Sequence, residues 1–219
     1  MMGVERKSLV LSDEEKKRTA YHEIGHVLVS KFTEGSDPVH KVTIIPRGRA
    51  LGVTAYLPMD DKHSFSKDYI LGRITSLMGG RSAELLVFNE YTTGARDDIE
   101  RATDLAHKMV CEWGMSVALG PLSYGEKEEE IFLGREITRH KNYSEKTAQD
   151  IDAEVKQIVL DAAHKAETIL TENNTLLHAL ASSLIERETL DADEIDTMIR
   201  GEILAPRAIA AIPPAAPSA

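Results

Sequence analysis

The chain has 219 residues, with 36 acidic side chains against 26 basic ones and a formal charge of -10. Hydrophobic residues make up 42% and charged residues 28%, the balance of a folded globular protein built as one large domain or two small ones. So acidic a surface is a poor match for phosphate backbones and excludes a nucleic-acid binder. The single cysteine, Cys111, excludes both an internal disulfide and a cysteine-built zinc cage, and reads as a small buried apolar residue. No run approaches the eighteen or so apolar residues of a membrane span, and the polar N-terminus is no signal peptide.

Ser12 followed by Glu15 forms a capping box, and a helix is expected over 13–32, with Ala20, Ile24, Val27 and Leu28 on its apolar face. Two β-type runs follow at 41–45 and 51–57. Pro46 argues for a free edge on the first, because proline cannot donate to a neighbouring strand. A helix over 67–88 is interrupted in pattern by Gly79-Gly80, which calls for either a break or the close approach of another backbone. A further helix is expected over 97–113, then a mixed segment with an acidic run at 126–130 that reads as a solvated loop. Ser144 caps a long helix to about 172, a second runs to about 187, and a short third covers 191–200. The Ala/Pro-rich residues 205–219 read as a disordered tail behind a domain over 1–204. The fold class is therefore mainly α with a small β-sheet or hairpin.

Inside the first helix lies H-E-x-x-H, at His22, Glu23 and His26. Residues four apart share a helix face, so both imidazoles can reach one zinc ion, and Glu23 beside them is placed to take a proton from water activated there. A catalytic zinc needs a third protein ligand. The extended motif is absent, since Val29 and Phe32 stand where its glycine and last histidine would be. His40, His63, His107, Glu84, Glu90, Asp97 and Asp98 are all candidates, and chemistry alone does not choose among them.

Several segments together resemble the FtsH family of membrane-anchored, ATP-dependent zinc proteases. They are the run from Tyr21 through His26 to Val29, Thr43 to Gly52, Met78 to Glu84, Thr92-Thr93-Gly94-Ala95 with Asp98, Trp113 to Ser116, Leu119 to Leu122, and Phe132 to Arg135. The resemblance covers about residues 3–204, in order, and corresponds to the protease part. No Walker A motif is present, so the family's ATPase module and membrane anchor are expected to lie outside this chain. The resemblance implies an FtsH-type peptidase domain in which Asp98, closing T-G-A-x-x-D, joins His22 and His26 on Zn2+ while Glu23 is the general base. Asp97 stands where the family usually has asparagine, and Leu85 where it often has a second glutamate. The implied function is a metalloendopeptidase acting on unfolded or misassembled polypeptides, in a homo-hexamer at the cytoplasmic face of a bacterial inner membrane. ATP enters only through the parent protein. For substrate, a strand edge at 42–45 or 51–57 would offer sequence-tolerant main-chain binding, and a plain structural hairpin is the equal alternative. The competing class is a helical scaffold with an inactive motif, and intact Glu23 argues against it.

Overall fold

A computed structural model describes residues 12–46, 51–57, 64–124 and 143–205. The acidic run at 126–130, His63, the Phe132 to Arg135 segment and the tail beyond 205 lie outside the described residues. The elements are α1 (Asp13–Lys31), β1 (Val39–Thr43), β2 (Val53–Tyr56), α2 (Lys67–Phe88), a 3-10 turn (Thr93–Ala95), α3 (Arg96–Cys111), α4 (Glu145–Glu172), α5 (Asn174–Arg187), β3 (Thr189–Asp191) and α6 (Ala192–Ile199). The mainly helical reading with a small sheet is borne out.

The capping box at the head of α1 is present. Ser12 Oγ accepts from the Glu15 amide, and Glu15 returns the bond to the Ser12 amide. From Ala20 to Ser30 every residue of α1 except His22 is buried, because α2, α5 and the sheet pack around it. α1 therefore behaves as a core helix with polar groups inside, not as an amphipathic surface helix.

Gly79-Gly80 does not break α2, which runs unbroken from Lys67 to Phe88. The glycines serve close approach instead. A Cβ on Gly25 of α1 would lie 2.4 Å from the Gly79 carbonyl oxygen, and one on Gly79 would lie 2.6 Å from that of Gly25. The two helices cross backbone to backbone, nearer than any side chain permits.

The sheet has three antiparallel strands in the order β2-β1-β3. This corrects the free edge expected beside Pro46. β1 is the central strand, with Val42 opposite Thr54 on one side and Leu190 on the other. Pro46 lies beyond its end, and the Ile44 amide still donates to the Glu188 carbonyl at 3.0 Å. The candidate substrate edge at 42–45 is thereby removed, and β2 is left as an outer strand. β3 has no counterpart in the sequence reading. It brings the C-terminal helices against the sheet, and the Thr43 and Thr189 hydroxyls meet at 2.9 Å.

Behind α1 and α2, a large apolar core joins Ile24, Leu28, Ile74 and Met78 to Ala166, Leu170, Leu177, Leu180, Leu184, Leu190 and Ile195. α4 begins at its expected cap, Ser144, whose side chain accepts from the Thr147 amide. Cys111 is buried as expected, in a small satellite cluster with Val110 and Ile151, and burial pushes its thiol pKa up.

Candidate metal centre

The α1–α2 crossing places the His22 and His26 rings over Gly80, where an added Cβ would come within 2.5 Å of His22 Nε2 and 2.7 Å of His26 Nε2. Only a residue without a side chain leaves room for both rings. Asp98 arrives from the first turn of α3, where the 3-10 turn at Thr93–Ala95 delivers the chain into the helix. Three atoms then converge. His26 Nε2 is 3.1 Å from His22 Nε2, and Asp98 Oδ2 is 3.2 Å from each of them.

The outer nitrogen of each ring fixes what the inner one presents. His26 Nδ1 lies 2.8 Å from the Ser76 carbonyl, which can only accept, so Nδ1 donates and Nε2 keeps its lone pair. His22 Nδ1 likewise donates to Glu84 Oε1 at 2.6 Å. Glu84 is in turn held by the Thr92 hydroxyl, which donates to Oε2 at 2.7 Å. This is the outer hydrogen bonding that orients metal-binding imidazoles.

With both imidazoles neutral, these bonds turn two nitrogen lone pairs and Asp98 Oδ2 toward one point, where a proton or a metal cation can be shared. A tetrahedral zinc with bonds of about 2.1 Å separates its ligand atoms by about 3.4 Å, within a few tenths of an ångström of the 3.1 and 3.2 Å found. The electrostatics agree. Burial works against a charged imidazole, yet the hydrogen bonds to Asp98 and Glu84 outweigh it and lift His22 to about 10. Burial likewise opposes ionisation of Asp98, but hydrogen bonds from His22 and His26 hold it well below the usual carboxylate range. Glu84 is lowered against burial by its bonds from His22 and Thr92. The field at this point favours positive charge, and the residues fit a zinc ion.

The other candidates fall elsewhere. Asp97 is exposed, lines the cleft and is not a member of the converging cluster. Glu90 pairs with Arg18 at 2.7 Å. His40 is exposed on β1 and His107 is exposed on α3. Glu84 is buried at the site, but as the partner of a ring nitrogen rather than a member of the converging triad. Among the described residues, His22, His26 and Asp98 form the one such cluster of possible metal-binding groups.

Glu23 projects beside this cluster and is 7% exposed. A cleft of about 770 Å³ opens over it, lined by both histidines, Asp98, β2 and Arg101. The sequence reading overlooked Ser76 and Thr54, which bonds Glu23 Oε2 at 2.6 Å. Ser76 acts through its carbonyl, which every residue possesses and no motif can signal.

The model of peptidase family M41 matches residues 9–198. The ATP-dependent zinc metalloprotease FtsH of Magnetococcus marinus is 58% identical over 202 residues, 92% of this chain and 30% of that protein. The protein of the same name in Acidobacterium capsulatum is 55% identical over 206 residues, 94% of this chain and 32% of its own length. ATP-dependent zinc metalloprotease FtsH 4 of Sorangium cellulosum is 54% identical over 215 residues, 97% and 33% of the two chains. The chain spans about a third of the length of these curated relatives. With the converging histidines and aspartate on the page and the match running nearly end to end, the chain belongs to peptidase family M41.

Proposed function

We propose that the chain is a zinc metalloendopeptidase, the proteolytic module of an ATP-dependent protease that degrades unfolded or misassembled proteins. His22, His26 and Asp98 hold the metal, and Glu23 is the general base. The observation that carries this reading is the convergence of three lone-pair atoms at 3.1 and 3.2 Å beside a buried glutamate. When bound, zinc supplies a Lewis acid that polarises the scissile carbonyl and makes water nucleophilic near neutral pH.

The protein's own groups do the rest. Glu84 and the Ser76 carbonyl keep each imidazole in the tautomer that presents Nε2 inward. The Glu23 carboxylate takes a proton from water and returns it to the nitrogen of the leaving amine. An extended peptide lies along β2, whose main chain offers hydrogen bonds that read no particular sequence.

Substrate unfolding and delivery belong to the ATPase part of the parent protein. We place six such modules in a ring, with the parent anchored at the cytoplasmic face of a bacterial inner membrane. No helix among the described residues is long and apolar enough to cross a membrane.

The test compares the chain with its Glu23→Gln variant, with zinc counted by elemental analysis and cleavage of casein followed in both. The amide is nearly isosteric but cannot accept the proton. Cleavage should fall by about 10²- to 10⁴-fold while zinc stays stoichiometric, and a chelator should stop the parent chain. Undiminished cleavage by the zinc-loaded variant rejects Glu23 as the base. A parent chain that binds no zinc and cleaves nothing restores the scaffold reading.

A further inference from the structure

Glu23 stands on α1, but its carboxylate is held from the sheet. Thr54 Oγ1 on β2 lies 2.6 Å from Glu23 Oε2 and 3.3 Å from the Glu23 carbonyl oxygen, and the shorter distance marks where its single proton goes. Gly52, two residues earlier, completes the seat. A Cβ there would lie 2.7 Å from Glu23 Oε1 and 2.6 Å from Thr19 Cγ2. Two residues later, the Tyr56 hydroxyl lies 3.2 Å from Ser30 Oγ, which donates to Ser76 Oγ at 3.1 Å. Ser76 is the residue whose carbonyl fixes His26. At the two-residue period of an extended chain, one face of β2 and its lead-in therefore touches the glutamate and the support of a histidine.

We infer that Thr54 is a positioning residue for hydrolysis, its hydroxyl fixing the rotation of the Glu23 carboxylate. This inference rests on the reading of Glu23 as the base. A carboxylate turns easily about its last bond, which has broad and shallow preferences. Anchoring Oε2 sets where Oε1 points. An ionised carboxylate has about four lone-pair sites, so the bond to Thr54 leaves capacity to accept a proton. The geometry also gives β2 two tasks. Among the described residues no strand pairs with its outer side, which can take an extended peptide, while Thr54 on the same strand aims the base. Peptide and proton acceptor are then referred to one rigid element, and a misplacement of about 1 Å in such an arrangement costs on the order of 10²-fold in rate.

The experiment uses zinc-loaded parent chain, Thr54→Val, Thr54→Ser, Glu23→Gln and the Thr54→Val/Glu23→Gln double variant. For each, kcat and KM are measured separately on an unstructured peptide, with zinc content and melting temperature alongside. Thr54→Val keeps the shape and loses the hydroxyl. It should lower kcat by about 10- to 100-fold, with KM within about twofold and zinc unchanged. Thr54→Ser should recover kcat to within about threefold of the parent, since the donor is restored. The double variant should be no slower than Glu23→Gln alone, because the hydroxyl acts only through that carboxylate. Should Thr54→Val lose its zinc or its melting transition, Thr54→Ala is judged by the same criteria. Parent-like kcat in the hydroxyl-less variant with Glu23→Gln inactive overturns the positioning role and spares the base. Equal loss in the serine and valine variants also overturns it, as does a loss confined to KM. Full activity of Glu23→Gln overturns both readings.

Discussion

The two halves of the interior are built on opposite rules. Where α1 crosses α2, the helices meet through Gly25 and Gly79, and the buried residues include Glu23, His26, Ser30, Thr75, Ser76, Ser82 and Glu84. Where α4 and α5 complete the core, the buried residues are Ala162, Ala166, Ile169, Leu170, Leu177, Leu180, Ala181 and Leu184, with no polar side chain among them. The first region fills its space with backbone and a hydrogen-bonded network, so it has no room for an added atom. The second fills its space with aliphatic side chains, so it suffers from a removed one. One region is built for exact placement of polar atoms and the other for stability, and different substitutions expose each.

Asp98→Ala strikes the polar region hardest. It removes one of three converging atoms and should weaken zinc binding by more than about a hundredfold, beyond the usual cost of losing an outer-shell partner, with cleavage lost in step. Asp97→Ala, one residue away and exposed, should leave both within about twofold. Zinc by elemental analysis after dialysis decides, and the reverse ranking would move the ligand by one residue.

Gly79→Val tests the backbone crossing. The new side chain meets the Gly25 carbonyl at a distance no real Cβ adopts, so α1 and α2 must separate. The expected cost is about 3 kcal/mol or more, with zinc affinity falling as His22 and His26 shift. Denaturant unfolding with parallel zinc titration reads both. A fully stable variant would show that the crossing has slack.

Leu180→Ala addresses the aliphatic region. Leu180 is fully buried, and the cavity should cost about 3 kcal/mol. Well below the melting transition, zinc content and kcat should stay near the parent values. Leu180→Met should cost less than about 1.5 kcal/mol. A strong loss of kcat without loss of folding in Leu180→Ala would join the two regions that the comparison separates.

The smallest effect is expected at the head of α4. Ser144→Ala removes the side-chain acceptor of the Thr147 amide and should lower stability by about 1 kcal/mol with no change in zinc binding or kcat. Thermal melting alone registers it.

These same differences explain what could be read from the sequence. Helix starts carry local chemistry, so Ser12 with Glu15 and Ser144 marked α1 and α4 correctly. The long helix behind Ser144 is legible because its buried residues, Ile151, Ala162, Ala166, Ile169 and Leu170 among them, share one helical face. Gly79-Gly80 was ambiguous in sequence, since a break and a close crossing leave the same letters, and only the partner Gly25 decides between them. β3 is three residues long and exists because β1 is there to pair with it. The same pairing overturned the free edge assigned beside Pro46. At the site, His22, Glu23 and His26 follow from helical spacing. Asp98 comes from 76 residues away, where chemistry offered several equal choices and only the family resemblance singled it out. Thr54 and the Ser76 carbonyl act across tertiary contacts that leave no periodic trace.

The pairing of β1 with β3 has a consequence for how the domain comes into being. Thr43 and Thr189 are 146 residues apart in sequence, and Tyr21 of α1 meets His178 across 157. Contacts of such separation close late, because the loop entropy is lost before the contact can compensate it. Within this chain α1, bearing His22 and Glu23, is made before α5, which packs against it, and β3, which pairs with β1. His22 and Glu23 are therefore synthesised before the elements that align them, and the hydrolysis proposed for them has to wait for β3 and α5 to dock.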